Sequence, residues 1–272
     1  MGASSELDED AILELLEAMH ADATSDPHEG LRERKKRRLR QRISNVATAM
    51  FLTQGFDNVT VARIAASCEV SEQTVYNYFP TKESMLLDRS ESMTIAMADA
   101  VRERSALSLV DAVVGALHGA GLHGGGPRGD IDEARQLDLI RRFTSVAVGS
   151  PALAPARLAD LARFTDQVAV ALAQRIGADR FDPEVIIATR LVAGLTEVRQ
   201  QSSYRQVQLV NSLAALEDAV RNDLQRAAAL AEPTLTSFDN VKKGSSTRTR
   251  AARNLDDHPS STRTTRQIRD RK

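Results

Sequence analysis

The stretch at residues 60–79, TVARIAASCEVSEQTVYNYF, decides how this chain is read. Thr60 can serve as an N-cap, and Val61, Ile64, Ala65 and Cys68 follow at steps of three and four, giving one apolar face about two turns long. Ser71 offers a second N-cap. Val75, Tyr78 and Phe79 then form the inner face of another short helix, which Pro80 ends because the residue before proline avoids the helical region. Two short helices joined by a turn of about three residues have the spacing of a helix-turn-helix, whose second helix enters a major groove. With Val75, Tyr78 and Phe79 turned inward, a step of about 100° per residue puts Gln73 and Asn77 on the opposite face, flanked by Thr74 and Tyr76. Gln and Asn can pair bidentately with adenine, Thr can touch a thymine methyl, and a Tyr hydroxyl can bond a phosphate. The plainer alternative for these residues is a solvated helix face.

Working outward, Leu39, Ile43, Val46, Ala47 and Met50 predict a helix that stops at Gly55, a good residue for a left-handed C-terminal cap, with Phe56 packing back on the last turn. Thr81 can cap a helix with Glu83 in its first turn, running through Met85, Leu86, Met93, Met97 and Val101 to about residue 104 as a connector between domains. Lys82 would there combine a positive side chain with free backbone N–H groups and a helix dipole, the makings of a phosphate clamp. Further helices are expected at about 106–118, 131–148, 153–176, 183–203 and 206–231. No segment alternates like a strand, and the fold class is all-α.

The net charge of -1 conceals a strong polarity along the chain. Residues 1–30 hold nine acids and no base; residues 31–42, LRERKKRRLRQR, hold eight bases and one acid; residues 233–272 hold ten bases and four acids. The expected organisation is an acidic, partly disordered arm at 1–30 with one marginal helix, a basic arm and helix-turn-helix domain at 31–80, a helical effector-binding and dimerisation domain at 81–232, and a basic disordered tail at 233–272. Lys35, Lys36, Arg37, Arg38, Arg40 and Arg42 are candidates for phosphate or minor-groove contact, making affinity fall steeply with salt. The acidic arm is either a solvated tail or an intramolecular competitor for those bases.

Several functions find little support. No run of about 18 apolar residues suggests a membrane span, and the acidic amino terminus lacks the features of a signal peptide, so a cytoplasmic protein is expected. Cys68 is one cysteine on an apolar face, and His118 and His123 have poor spacing for a metal pair, so neither metal nor cofactor is assigned. GAGLHG at 119–124 matches G-x-G-x-x-G literally, but it follows a helical pattern rather than a strand, which leaves a dinucleotide-dependent oxidoreductase as a remote alternative. An architectural DNA-binding protein without effector is the other alternative.

The segment ATAMFLTQGFDNVTVARIAASCEVSEQTVYNYFPTKESML resembles the DNA-binding domain of the TetR family of bacterial transcriptional regulators. Phe51, Gly55-Phe56, Thr60-Val61, Ile64-Ala65, Val70-Ser71, Thr74-Val75-Tyr76, Tyr78-Phe79-Pro80 and Lys82-Glu83 carry the likeness. The resemblance implies a homodimeric, non-enzymatic repressor that binds a near-palindromic double-stranded operator through residues 71–79 and leaves it when a small effector binds. Thr60, Ser71, Gln73, Thr74, Tyr76, Asn77, Tyr78 and Lys82 are the expected DNA contacts outside the basic run. The family usually has Gly in the turn where this chain has Glu69; a non-Gly residue held at positive φ costs about 1 kcal/mol or more, so a slightly altered turn is expected.

The resemblance also implies that the last two long helices pair with their copies, for which Ala188, Ala193 and Gly194 would permit close approach. An effector pocket would be lined by Met93, Met97, Leu109, Val113, Leu139, Phe143, Leu161, Phe164 or Val168, with simple core packing as the alternative for each. Five of the ten aromatic residues lie in the DNA-binding segment, which favours an apolar or amphipathic ligand over a stacked planar one.

Overall fold

The structure, a computed structural model, describes residues 7–20, 30–103, 107–119 and 132–240. Among these residues every element is helical: α1 (Glu9–His20), α2 (Leu31–Gln54), α3 (Val61–Ser67), α4 (Glu72–Tyr78), α5 (Lys82–Leu86), α6 (Asp88–Arg102), α7 (Leu109–Gly119), α8 (Glu133–Gly149), α9 (Leu153–Ile176), α10 (Pro183–Gln206) and α11 (Leu213–Asn240). The all-α class is as the sequence predicts. No described helix is long and apolar enough to cross a membrane. The expected disordered tail from residue 241, most of the Gly-rich stretch at 119–129, and residues 1–6 and 21–29 of the acidic arm lie outside the described residues.

Two main cores organise the chain. The first gathers Ile43, Phe51, Phe56, Ile64, Val75, Phe79 and Met85 from α2 to α5, with Leu153 from the start of α9 inserted among them. The second gathers Met97, Val113, Phe164, Leu172, Val192 and Leu224 from α6, α7, α9, α10 and α11. Fully burying one such side chain stabilises by about 1.5–3 kcal/mol. Helix α8 lies between the two units. Its Leu139, Phe143 and Val146 meet α1 and α2, whereas Leu137 and Ile140 pack with Val207, Leu216 and Val220. Arg141 on α8 adds hydrogen bonds to the carbonyls of Val207 (3.0 Å) and Val210 (2.7 Å).

Four expectations change. The helix at 9–20 is docked rather than marginal: Leu7, Ile12, Leu15 and Leu16 are buried against Ala49, Leu52 and Leu139, and Glu9 accepts a hydrogen bond from Gln54 at 2.7 Å. Twelve residues alone would scarcely hold a helix, so its order comes from that apolar face. The basic run is not an arm but the first three turns of α2, continuous with the domain's first helix. The connector breaks at Leu87 and restarts at Asp88, where an acid in the first turn suits the helix dipole. Helix α11 runs through Pro233 to Asn240, overriding a proline penalty of about 3 kcal/mol. Burial of Leu235 and Phe238 offsets it, together with the pair in which Arg175 grips Asp239 through Nε (2.5 Å) and Nη2 (2.8 Å). The same guanidinium donates to the carbonyls of Val101 (3.1 Å) and Glu103 (2.9 Å), closing the end of α6.

Ending the chain after Glu232 therefore removes two core side chains and strips the buried Arg175 of its counter-charge; chemical denaturation should show a loss of at least about 5 kcal/mol, against little change when the chain ends after Asn240. The α10–α11 seam carries a second test. Asp223 accepts hydrogen bonds from Ser202 (2.7 Å) and Arg205 (2.6 Å). The Ser202 hydrogen bond first, then the charges of Arg205 and Arg226, hold its carboxyl below the usual range against the opposing effect of burial. That contribution is complete above the usual carboxylate range and disappears as pH falls through the lowered value. Asp223→Asn should lower the melting temperature by a few degrees at neutral pH and converge with the parent chain in acid.

Candidate nucleic-acid interface

Helix α4 has only seven residues and is positioned by its ends and one face. Ser71 caps it, accepting from the Thr74 N–H at 3.1 Å, while Val75 and Phe79 are buried in the first core. Its outer side presents Gln73, Tyr76 and Asn77 to solvent, and Gln73 Nε2 donates to Asn77 Oδ1 at 3.1 Å. These two amides, one turn apart, form a flat polar edge of the kind that reads adenine. Thr74 and Tyr78 are half-buried, and the Thr74 hydroxyl is engaged with Ser71 at 2.9 Å.

The turn before α4 keeps its left-handed residue. Glu69 has φ 57°, the Val70 N–H reaches the Ala65 carbonyl (3.0 Å) and the Glu69 N–H the Ala66 carbonyl (3.1 Å), the paired bonds of a Schellman cap. The expectation of an altered turn is corrected: two hydrogen bonds and the burial of Cys68 beside them outweigh the strain at Glu69. Burial also pushes the Cys68 thiol up from its ordinary value, against the opposing charge of Arg42, so this cysteine acts as an apolar core residue.

The basic run divides by helix face. Lys35, Lys36, Arg38 and Arg42 are exposed, and Arg37 is half-buried. Arg32, Lys35, Lys36 and Leu39, with one acid, Glu33, line one shallow cleft of net positive charge together with Tyr78 from the end of α4. The twelve residues of the run span about 18 Å of helix, and through the cleft shared with Tyr78 this edge adjoins the end of α4. Arg32 is missing from the sequence-based set; reading the run as helix reveals it, because 32, 35, 36 and 39 share one face. Arg63 on α3 is likewise exposed and was not singled out.

Three expected contacts are already engaged. Thr60 accepts from the Arg63 N–H at 3.3 Å as the cap of α3. Lys82 turns its ammonium inward, donating to the carbonyls of Phe56 (2.9 Å) and Val59 (3.1 Å) over the Phe56 ring, so two of its three protons hold the loop before α3. Arg40 is bound to Tyr78, Asp88 and Glu91 within the chain.

Six of the nine effector-pocket candidates are brought together and three are not. Met93, Met97, Leu109, Val113, Phe164 and Val168 belong to the second core, Leu139 and Phe143 pack toward α1 and the first core, and Leu161 is 43% exposed on α9. Ala188 and Ala193 also face their own chain's core; of the three small residues on α10, Gly194 alone faces outward.

A capped helix pair with a polar outer edge and a basic flank defines a helix-turn-helix DNA-binding protein. Residues 43–88 match the family model for bacterial regulatory proteins of the tetR family. An HTH-type transcriptional regulator, TcmR of Streptomyces glaucescens, is 28% identical over 186 residues, covering 63% of this chain and 76% of the relative. Solved structures with some likeness include Thermus thermophilus FadR, a TetR-family repressor in complex with lauroyl-CoA, at 22% identity and TM-score 0.41, covering 69% of this chain and 92% of that one. A putative TetR-family regulator from Mesorhizobium loti has 20% identity and TM-score 0.42 over 72% and 98% of the two chains. Residues 43–88 are thus similar to the DNA-binding segment of the tetR family, and the chain is a DNA-binding transcriptional regulator.

Because Glu69 alone among the described non-glycine residues holds positive φ, Glu69→Gly should stabilise the domain by about 1 kcal/mol, raising the melting temperature by about 2–4 °C without changing DNA affinity.

Proposed function

We propose that the chain is a homodimeric repressor that reads a near-palindromic operator with α4 and steadies itself on flanking phosphates with the first turns of α2. The observation that carries this is the exposed Gln73–Tyr76–Asn77 edge standing beside the basic cleft of Arg32, Lys35 and Lys36. Base edges would be met by Gln73 and Asn77. Ser71, Tyr76 and Tyr78 would meet phosphates, together with Lys35, Lys36, Arg38 and Arg42. Thr60, Thr74 and Lys82 would contribute mainly by holding the helix ends.

Dimerisation would use the outer side of α10 and α11, where Ile186, Ile187 and Leu230 are exposed, Leu230 at 85%. A small apolar or amphipathic effector would enter the second core around Met93, Met97 and Phe164, moving α6 and so the separation of the two reading heads. No catalytic constellation enters this account. Among the described residues there is no strand to precede the glycines at 119–124, as a dinucleotide site requires.

Selection from a random-sequence duplex library should enrich a dyad-symmetric site. Gln73→Ala and Asn77→Ala should each cost about 1–3 kcal/mol on that site and almost nothing on random duplex. Replacing Lys35 and Lys36 together by Ala should weaken both duplexes alike and reduce the salt slope by about 2. Failure to enrich any sequence would contradict the proposal.

A further inference from the structure

The carboxy-terminal end of α4 has no glycine cap. The helix stops at Tyr78 and Pro80 keeps it from continuing, so the Tyr78 carbonyl, one of the last four of the helix, has no intrahelical N–H to accept from and needs a donor from elsewhere. Arg40 supplies it. From the middle of α2 its Nη1 donates to Tyr78 O at 2.8 Å, and its guanidinium lies 4.5 Å from the centre of the Phe79 ring. The rest of the fork turns to the start of α6: Nε and Nη2 reach Asp88 Oδ1 at 3.0 and 2.6 Å, and Nη2 also meets Glu91 Oε2 at 3.2 Å. Four of the five N–H vectors of one side chain are thereby directed inside the protein. Asp88 is 14% exposed and Arg40 36%, so the pair is shielded on the carboxylate side. Burial raises the Asp88 carboxyl above its ordinary value, against the opposing charge and hydrogen bonds of Arg40.

We infer that Arg40 and Asp88 form a latch, with Arg40 as a positioning residue through which the first turn of α6 holds the end of the DNA-reading helix. The inference rests on the DNA-binding reading above and assigns Arg40 a different role from its basic neighbours. Its other end lies in the second core, where Met97, Ala98 and Val101 of the same α6 are buried. A shift of α6 along its axis would draw Asp88, the guanidinium and the Tyr78 carbonyl together. The link is separate from the covalent path through α5.

The discriminating variants are Arg40→Lys, Arg40→Gln and Asp88→Ala. A lysine keeps the charge that a phosphate contact needs but lacks the fork that a latch needs. Affinities of the full chain would be measured over a range of salt for the duplex enriched by the parent chain and for random duplex. Hydrogen exchange at residues 75–79 would be followed without DNA. The latch predicts that all three variants lose about tenfold or more of the preference for the enriched duplex, that Arg40→Lys is no rescue, and that combining Arg40→Gln with Asp88→Ala is no worse than either alone. It also predicts faster exchange at residues 75–79 in each folded variant. Rescue by lysine, with a salt slope lowered by about 1 only in Arg40→Gln, would overturn the latch and make Arg40 a phosphate contact. Should the parent chain enrich no sequence, the DNA reading falls and the latch stands or falls on exchange alone, unchanged protection at residues 75–79 being the contrary result. If Arg40→Gln and Asp88→Ala fail to fold, Arg40→Lys decides on both measurements.

Discussion

A helix of seven residues has no stability of its own in water, so the reading face of α4 exists only because its opposite face is buried. Val75 and Phe79 are wholly enclosed by the first core, with Phe51, Ile64 and Met85 among the residues around them. That burial fixes the rotation of α4 about its axis. A different rotation would expose two large apolar side chains and hide Gln73 and Asn77. The polar edge is thus dictated by the apolar one, and each cap around it serves the same end: Ser71 at the start, the Schellman turn before it, Arg40 at the finish.

The connection to the rest of the chain follows the same logic of satisfied ends. Helix α6 is gripped at both termini by arginines, by Arg40 through Asp88 and Glu91 at its start and by Arg175 through the Val101 and Glu103 carbonyls at its finish. Arg175 in turn is paired with Asp239 on the last turn of α11. Packed elements held by directional contacts shift between discrete arrangements rather than bending smoothly, which is what a regulator needs from the rod between its two units. Helix α1 adds a brace specific to the long amino-terminal part of this chain, touching both α2 and α8.

Much of this was legible in the residues. The periodicity of Val61, Ile64, Ala65 and Cys68, then of Val75, Tyr78 and Phe79, located both helices of the motif, and Gly55 and Pro80 marked the ends of α2 and α4 within two residues. What stayed hidden depends on partners distant in sequence. The basic run has no apolar stripe until Leu39, so nothing local distinguishes a helix from an arm; its helicity is propagated from the buried turns that follow. Pro233 is a local stop signal that Phe238 and Asp239 override only because Arg175 waits 64 residues away. Arg40 looks like its neighbours in a run of bases, and only the third dimension separates the one that faces Asp88. Leu139 and Phe143, expected in an effector pocket or else in the core, are turned by α8 toward α1 and the first core.

Methylation protection on the enriched duplex reports which groove α4 occupies. Guanine N7 atoms should be shielded in two major-groove segments related by a dyad, each segment losing its protection when Gln73 and Asn77 are replaced by alanine. Uniform reactivity of N7 across the bound duplex, with affinity intact, would contradict it.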